Sequence, residues 1–123
     1  MLNPSILSNK SLNSIRRMSV CLSVSNLKRS IEWYEKILGL EPFLHKDFTR
    51  FGAEVVYLQR GNFQIELVEN RNLIPDRPAD PPLNMEKQGV TQITFRVDNI
   101  EHIFQEIKKA DVEIAMNLNE VED

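Results

Sequence analysis

Residues 18–40 read MSVCLSVSNLKRSIEWYEKILGL, and this stretch decides the fold. Val20, Leu22 and Val24 alternate with Ser19, Cys21 and Ser23, the period-two pattern of a strand with one apolar and one polar face. The period then changes. Leu27, Ile31, Tyr34 and Leu38 recur at helical spacing, with Lys28, Arg29, Glu32, Glu35 and Lys36 on the other side. Asn26 stands where a side-chain oxygen can cap the first free amides of that helix, and Gly39 where a left-handed residue ends it. Trp33, beside the apolar stripe, reads as a packing residue.

The same text recurs downstream as TQITFRVDNIEHIFQEIKKADVEI over residues 91–114. At an offset of 73, Val20 falls on Ile93, Leu22 on Phe95, Val24 on Val97, Asn26 on Asn99, Leu27 on Ile100, Ile31 on Phe104 and Tyr34 on Ile107. A repeat of this length signifies two copies of one supersecondary unit. Between the copies, residues 41–51 predict a strand with a turn. EVVYLQ (residues 54–59) and FQIELV (63–68) predict two strands joined by Arg60-Gly61-Asn62 as an antiparallel hairpin. Pro75, Pro78, Pro81 and Pro82 break residues 71–89 into a linker. The second copy restarts with a strand at residues 91–97 and a helix capped by Asp98 or Asn99, with Ile100, Ile103, Phe104 and Ile107 as its stripe. A further strand follows at residues 112–115. The fold class expected is therefore α+β, built from paired βαβββ modules. The first spans residues 17–70; the second, residues 90–123, is incomplete at its C-terminus by about two strands.

With 123 residues, 41% apolar and 27% charged, the chain suits a single globular domain. A net charge of -3 gives no electrostatic footprint for nucleic acid. Cys21 is the one cysteine, which rules out a disulfide within the chain and favours a reducing, cytoplasmic setting. No apolar run reaches the roughly 18 residues of a membrane helix. Residues 1–16 read as a flexible polar leader; the absence of any acidic residue before Glu32 also gives them the composition of an organellar transit peptide.

Three segments, VSNLKRSIEWYEKILGLEPF, FQIELVE and VTQITFRVDNI, resemble the vicinal oxygen chelate superfamily, the group of glyoxalase I, methylmalonyl-CoA epimerase, bleomycin-resistance proteins and extradiol dioxygenases. The resemblance extends over about residues 17–114 and implies two βαβββ units whose sheets enclose a hollow, often across a homodimer. It also implies metal-ligand positions on the first and last strands of each unit. Here these correspond to Ser19, Glu66 and Gln92, with the fourth beyond Asp123. Alternation alone sets Ser19, Glu66 and Gln92 on the polar faces of their strands.

By the resemblance, Glu66 is the catalytic candidate, a general base or metal ligand, and Gln92 its companion ligand. The cofactor implied is a divalent metal: zinc, nickel, cobalt, manganese or iron. Ser19 is a poor ligand and Gln92 a neutral one, which favours a metal-free pocket. His45 and His102 stand at none of these positions, which argues against an iron dioxygenase. Cys21 has no evident activating cation and reads as a small buried residue rather than a reactive thiolate. The function expected first is capture of a small molecule in a bleomycin-resistance-like pocket lined by Ser19, Cys21, Ser23, Tyr57, Gln64, Glu66, Gln92, Thr94 and Arg96. Two others stand beside it: a metal-dependent lyase or isomerase of the glyoxalase or epimerase type, and a truncated, non-catalytic dimerisation domain.

Overall fold

The computed structural model of the protein describes residues 14–115 and residue 117. The leader expected over residues 1–16 falls mostly outside them, as does most of the acidic tail NLNEVED. The chain divides into two units, with the boundary between Ile74 and Pro75.

The first unit holds strand β1 (Ser19–Ser23), helix α1 (Leu27–Leu38) and strands β2 (Glu41–Phe48), β3 (Ala53–Arg60) and β4 (Phe63–Asn70). This is one βαβββ module. Its four strands form a sheet in the order β1-β4-β3-β2. β4 and β3 form the expected hairpin, and β3 pairs antiparallel with β2. β1 joins β4 in parallel, in the register Ser19 to Gln64 through Ser23 to Val68. One face of this sheet carries the core. Leu58 and Leu67 are fully buried, with Leu40, Val56, Ile65 and Leu27 around them. Val20, Leu22, Val24, Ile31, Tyr34 and Leu38 pack against that cluster, so α1 covers one side of the sheet with the stripe its spacing assigns.

The helix ends follow from single residues. The Asn26 side chain accepts from the Arg29 amide at 3.0 Å. Glu69 on β4 accepts from the Leu27 amide at 3.3 Å, placing a carboxylate at the positive end of a helix that has no acid in its own first turn. Gly39 has φ +65, and Arg60 donates to the Leu38 carbonyl at 2.9 Å. α1 is thereby tied at one end to β4 and at the other to β3.

In the second unit the helix of the repeat forms as α2 (Ile100–Lys109). Its cap copies the first: Asn99, at φ -133 and ψ 93, accepts from the His102 amide at 3.1 Å, as Asn26 does at φ -145 and ψ 102. The strands expected at residues 91–97 and 112–115 do not form; neither segment joins a ladder. Ile93, Phe95 and Val97 are 39%, 44% and 36% exposed, so the alternating pattern there covers no sealed core. The physical reason is pairing. A strand satisfies its amides only through a neighbour, and the described residues of this unit hold no counterpart of β4. The proline-rich segment also contains a short 3-10 turn, Leu83–Glu86. Among the described residues, no helix is long and apolar enough to cross a membrane.

Leu67 is 0% exposed on the strand that holds β1 in place. We expect Leu67→Ala to destabilise the first unit by about 2–5 kcal/mol, and Asn26→Ala by about 1 kcal/mol, in urea unfolding followed by circular dichroism.

Candidate functional site

The face of the sheet opposite α1 is ordered in three cross-strand rows. Ser19, Gln64, Gln59 and Glu41 make the first; Cys21, Glu66, Tyr57 and Leu44 the second; Ser23, Val68, Val55 and Lys46 the third. The register of two hairpin pairings and one parallel pairing therefore brings Ser19, Cys21, Ser23, Tyr57, Gln64 and Glu66 onto one face. A bulge between Pro42 and Leu44 shifts the β2 register there. Phe43 lies beside Tyr57, ring centres 6.1 Å apart. The Lys46 ammonium lies 5.6 Å from the Tyr57 ring centre.

Glu66 is the chemical centre of the middle row, flanked by Cys21 and Tyr57. Its carboxylate stands where it can accept from the Tyr57 hydroxyl. That interaction, with lesser effects of desolvation and of the Glu66 and Cys21 charges, holds the phenol above its ordinary pKa. Tyr57 thus stays a donor. The Cys21 thiol is also raised, first by desolvation and then by the negative charge of Glu66. Cys21 is exposed, against the expectation of a buried small residue. Alternation turns it away from the helix-covered face, and nothing described seals the other side. Exposure does not make it reactive, because desolvation and, after it, the Glu66 charge disfavour the thiolate.

At the end of the first row, Arg17 Nη1 donates to Gln59 Oε1 at 3.1 Å and to Gln64 Oε1 at 3.2 Å. Ser19 Oγ, in the same row, is buried without a hydrogen-bond partner among the described residues. Arg17 carries no sign of this in sequence, where it is one more cation next to a basic leader. Only the pairing of Gln59 with Gln64 reveals two acceptors side by side. Gln92, Thr94 and Arg96 lie in the second unit, all exposed; Gln92 Nε2 donates to Thr94 Oγ1 at 3.5 Å. Two clefts of the first unit lie away from the open-face rows' centre. One of about 620 Å³ has Asp47, Thr49, Glu69 and Arg71 in its lining. The other, about 680 Å³, runs between α1 and β2 past Ile31, Phe43 and Val56. Neither includes Glu66 or Tyr57.

A family model, the Glyoxalase/Bleomycin resistance protein/Dioxygenase superfamily, matches residues 15–122. The chain belongs to this superfamily. Among solved structures it is similar to a glyoxalase family protein from Enterococcus faecalis, 20% identical over 84% of this chain and 76% of that one, with a TM-score of 0.64. It is similar to the trypanothione-dependent glyoxalase I of Leishmania major, 20% identical over 80% and 68% of the two chains, TM-score 0.63. It is also similar to the fosfomycin resistance protein FosX of Listeria monocytogenes, 15% identical over 85% and 74%, TM-score 0.58; that protein has been solved with Mn(II) and sulfate ion as well. At these identities the likeness is one of fold.

Members of the superfamily include metal proteins, so the donors of this chain bear testing. No group of three His, Cys, Asp or Glu side chains is placed to hold a metal among the described residues. In the middle row of the first unit the donors are one carboxylate, a phenol and a thiol whose proton is held on. With the Ser19 hydroxyl added, that set does not fit a tightly held divalent ion.

The chain has two tyrosines, and both are shifted upward for different reasons, Tyr34 by burial and Tyr57 chiefly by Glu66. Absorbance titration should show both ionising above the ordinary phenol range. Glu66→Gln should return one of the two toward it and leave the other in place.

Proposed function

We propose that this superfamily member binds a small organic molecule on the open face of its sheet and holds it without chemical change. The observation that carries this reading is the middle row. A carboxylate and a phenol stand side by side on a face that the core does not use, with Phe43 and Leu44 supplying apolar surface next to them. Such a mixture of aromatic surface and few polar groups is what small-molecule sites are made of. Glu66 accepts a donor of the ligand, Tyr57 offers its ring and hydroxyl, and Ser19, Cys21, Ser23 and Gln64 line the remainder.

The test uses two probes, bleomycin and the hemithioacetal of methylglyoxal with glutathione, followed by amide shifts in two-dimensional NMR. At least one should shift residues of the middle row, with or without EDTA, and neither should be consumed. Glu66→Ala should weaken that binding about tenfold or more, the size expected for a hydrogen bond to a charged group. No shift in the row with either probe would remove the proposal.

A second reading follows from the superfamily resemblance alone, in which Ser19 and Glu66 stand at strand positions where metal-using members carry ligands. In that reading the chain is a metal-dependent lyase or isomerase, with Glu66 as a protein ligand and the rest supplied by water or a partner chain. Stoichiometric metal in purified protein, lost in Glu66→Ala, together with turnover of the hemithioacetal, would establish it over the first.

The free edge of β1 supports a homodimer. β1 ends the sheet, and no described strand pairs beyond it. An open edge with satisfied neighbours on one side only is a site for strand addition. Sedimentation at micromolar concentration should return twice the 14.3 kDa chain mass. A monomer throughout that range would count against the pairing.

A further inference from the structure

Arg17 is held on the open face in an unusual way for a surface arginine. One nitrogen, Nη1, donates to two amide oxygens, Gln59 Oε1 at 3.1 Å and Gln64 Oε1 at 3.2 Å. An arginine can only donate, so both glutamines must turn their oxygens to it and their NH2 groups elsewhere. The arrangement therefore fixes three donor groups together: the remaining guanidinium nitrogens and two amide nitrogens. No Asp or Glu of the described residues forms an ion pair with Arg17, so its charge is not neutralised there. The Ser19 hydroxyl, next to Gln64 in the same row, is buried with no partner among the described residues, a state that folded proteins seldom leave unexplained.

We propose that this row is the anion-binding end of the site, and that the molecule it takes is a small carboxylate or phosphate that also carries a hydrogen-bond donor. The anion lies on Arg17 and the amide nitrogens of Gln59 and Gln64. The donor reaches Glu66, one row further along the same strands. Adjacent rows on one face are two residues apart, so the two recognition points are separated by about 7 Å. Charge decides the polarity of the ligand: the Arg17 end repels a cation, and the Glu66 end repels a second anion. A guanidinium fork suits a carboxylate or phosphate geometrically as well as electrically. This inference rests on the open-face binding reading and adds the chemical class of what is bound.

NMR titrations with butyrate, 4-hydroxybutyrate, inorganic phosphate and butane-1,4-diol test it. The three anions should shift residues 17, 59 and 64, and the uncharged diol should not. 4-Hydroxybutyrate should bind more tightly than butyrate by several-fold, and Glu66→Gln should shrink that advantage. Arg17→Met should weaken every anion about tenfold or more. Arg17→Lys should retain part of the affinity, since it keeps the charge and loses the fork. Gln64→Glu gives an independent check that does not remove Arg17: the new carboxylate should take the guanidinium and abolish anion binding. Thermal unfolding of each variant confirms that it is folded. The relative affinities of butyrate and phosphate assign the anion as carboxylate or phosphate. Equal anion binding by wild type and Arg17→Met, or shifts confined to other residues, would overturn the proposal. If bleomycin or the hemithioacetal still shifts the Glu66 row while no anion shifts the Arg17 row, the binding face stands and its anionic specificity falls. Silence in both rows overturns both.

Discussion

The parallel pairing of β1 with β4 is the constraint on which the first unit depends. It joins the first strand of the module to the last, across about 45 residues of sequence, and closes the sheet around the hairpin. On one side it adds Val20 and Leu22 to the cluster under α1. On the other it sets Cys21 beside Glu66 and Ser19 beside Gln64. A slip of one residue would reverse both faces, burying serines against the helix and exposing the valine and leucine. The apolar pattern of β1 therefore selects the register, and the same register assembles the polar rows. Stability and chemistry are specified by one alignment.

Several parts of this were legible in the residues alone because they are local. The change of period after Val24, the cap at Asn26 and the left-handed Gly39 need no distant partner to be read, and each has its expected geometry. The hairpin between Ala53 and Asn70 was legible for the same reason. The face of Tyr57 was not. EVVYLQ buries Val55 and Val56 in succession, so alternation within that strand gives no clean assignment. Only its pairing with Glu66 decides the side. Arg17 was illegible because its role depends on two glutamines that lie 42 and 47 residues away and meet only in the hairpin. The exposure of Cys21 is of this kind too: alternation gives its face, but what covers that face is a tertiary matter.

Glu66 draws its importance from position more than from burial. It is only partly exposed, on the strand between β1 and β3, and so it acts on a neighbour at each side. Toward β3 it favours the protonated phenol of Tyr57; toward β1 it favours the protonated thiol of Cys21. Both effects keep neighbouring groups neutral. A row containing one anion and two neutral donors differs from a nucleophilic site, where the thiolate or phenolate would be stabilised by a cation. Both effects come through a single carboxylate.

The two copies of the repeat show which parts of a supersecondary unit can stand on sequence alone. α1 and α2 share a cap of the same residue type, with amide-to-side-chain distances of 3.0 and 3.1 Å. A helix bonds its own backbone, so the local text suffices to draw it. The strand text preceding each helix is as similar as the helix text, yet only residues 19–23 form a strand. β1 is a strand because β4 supplies its hydrogen-bond partners and the hairpin has already fixed β4 in place. Residues 91–97 have the alternation without that neighbour among the described residues. Alternating sequence is thus a statement about which face a strand would present, while the strand itself belongs to the pair.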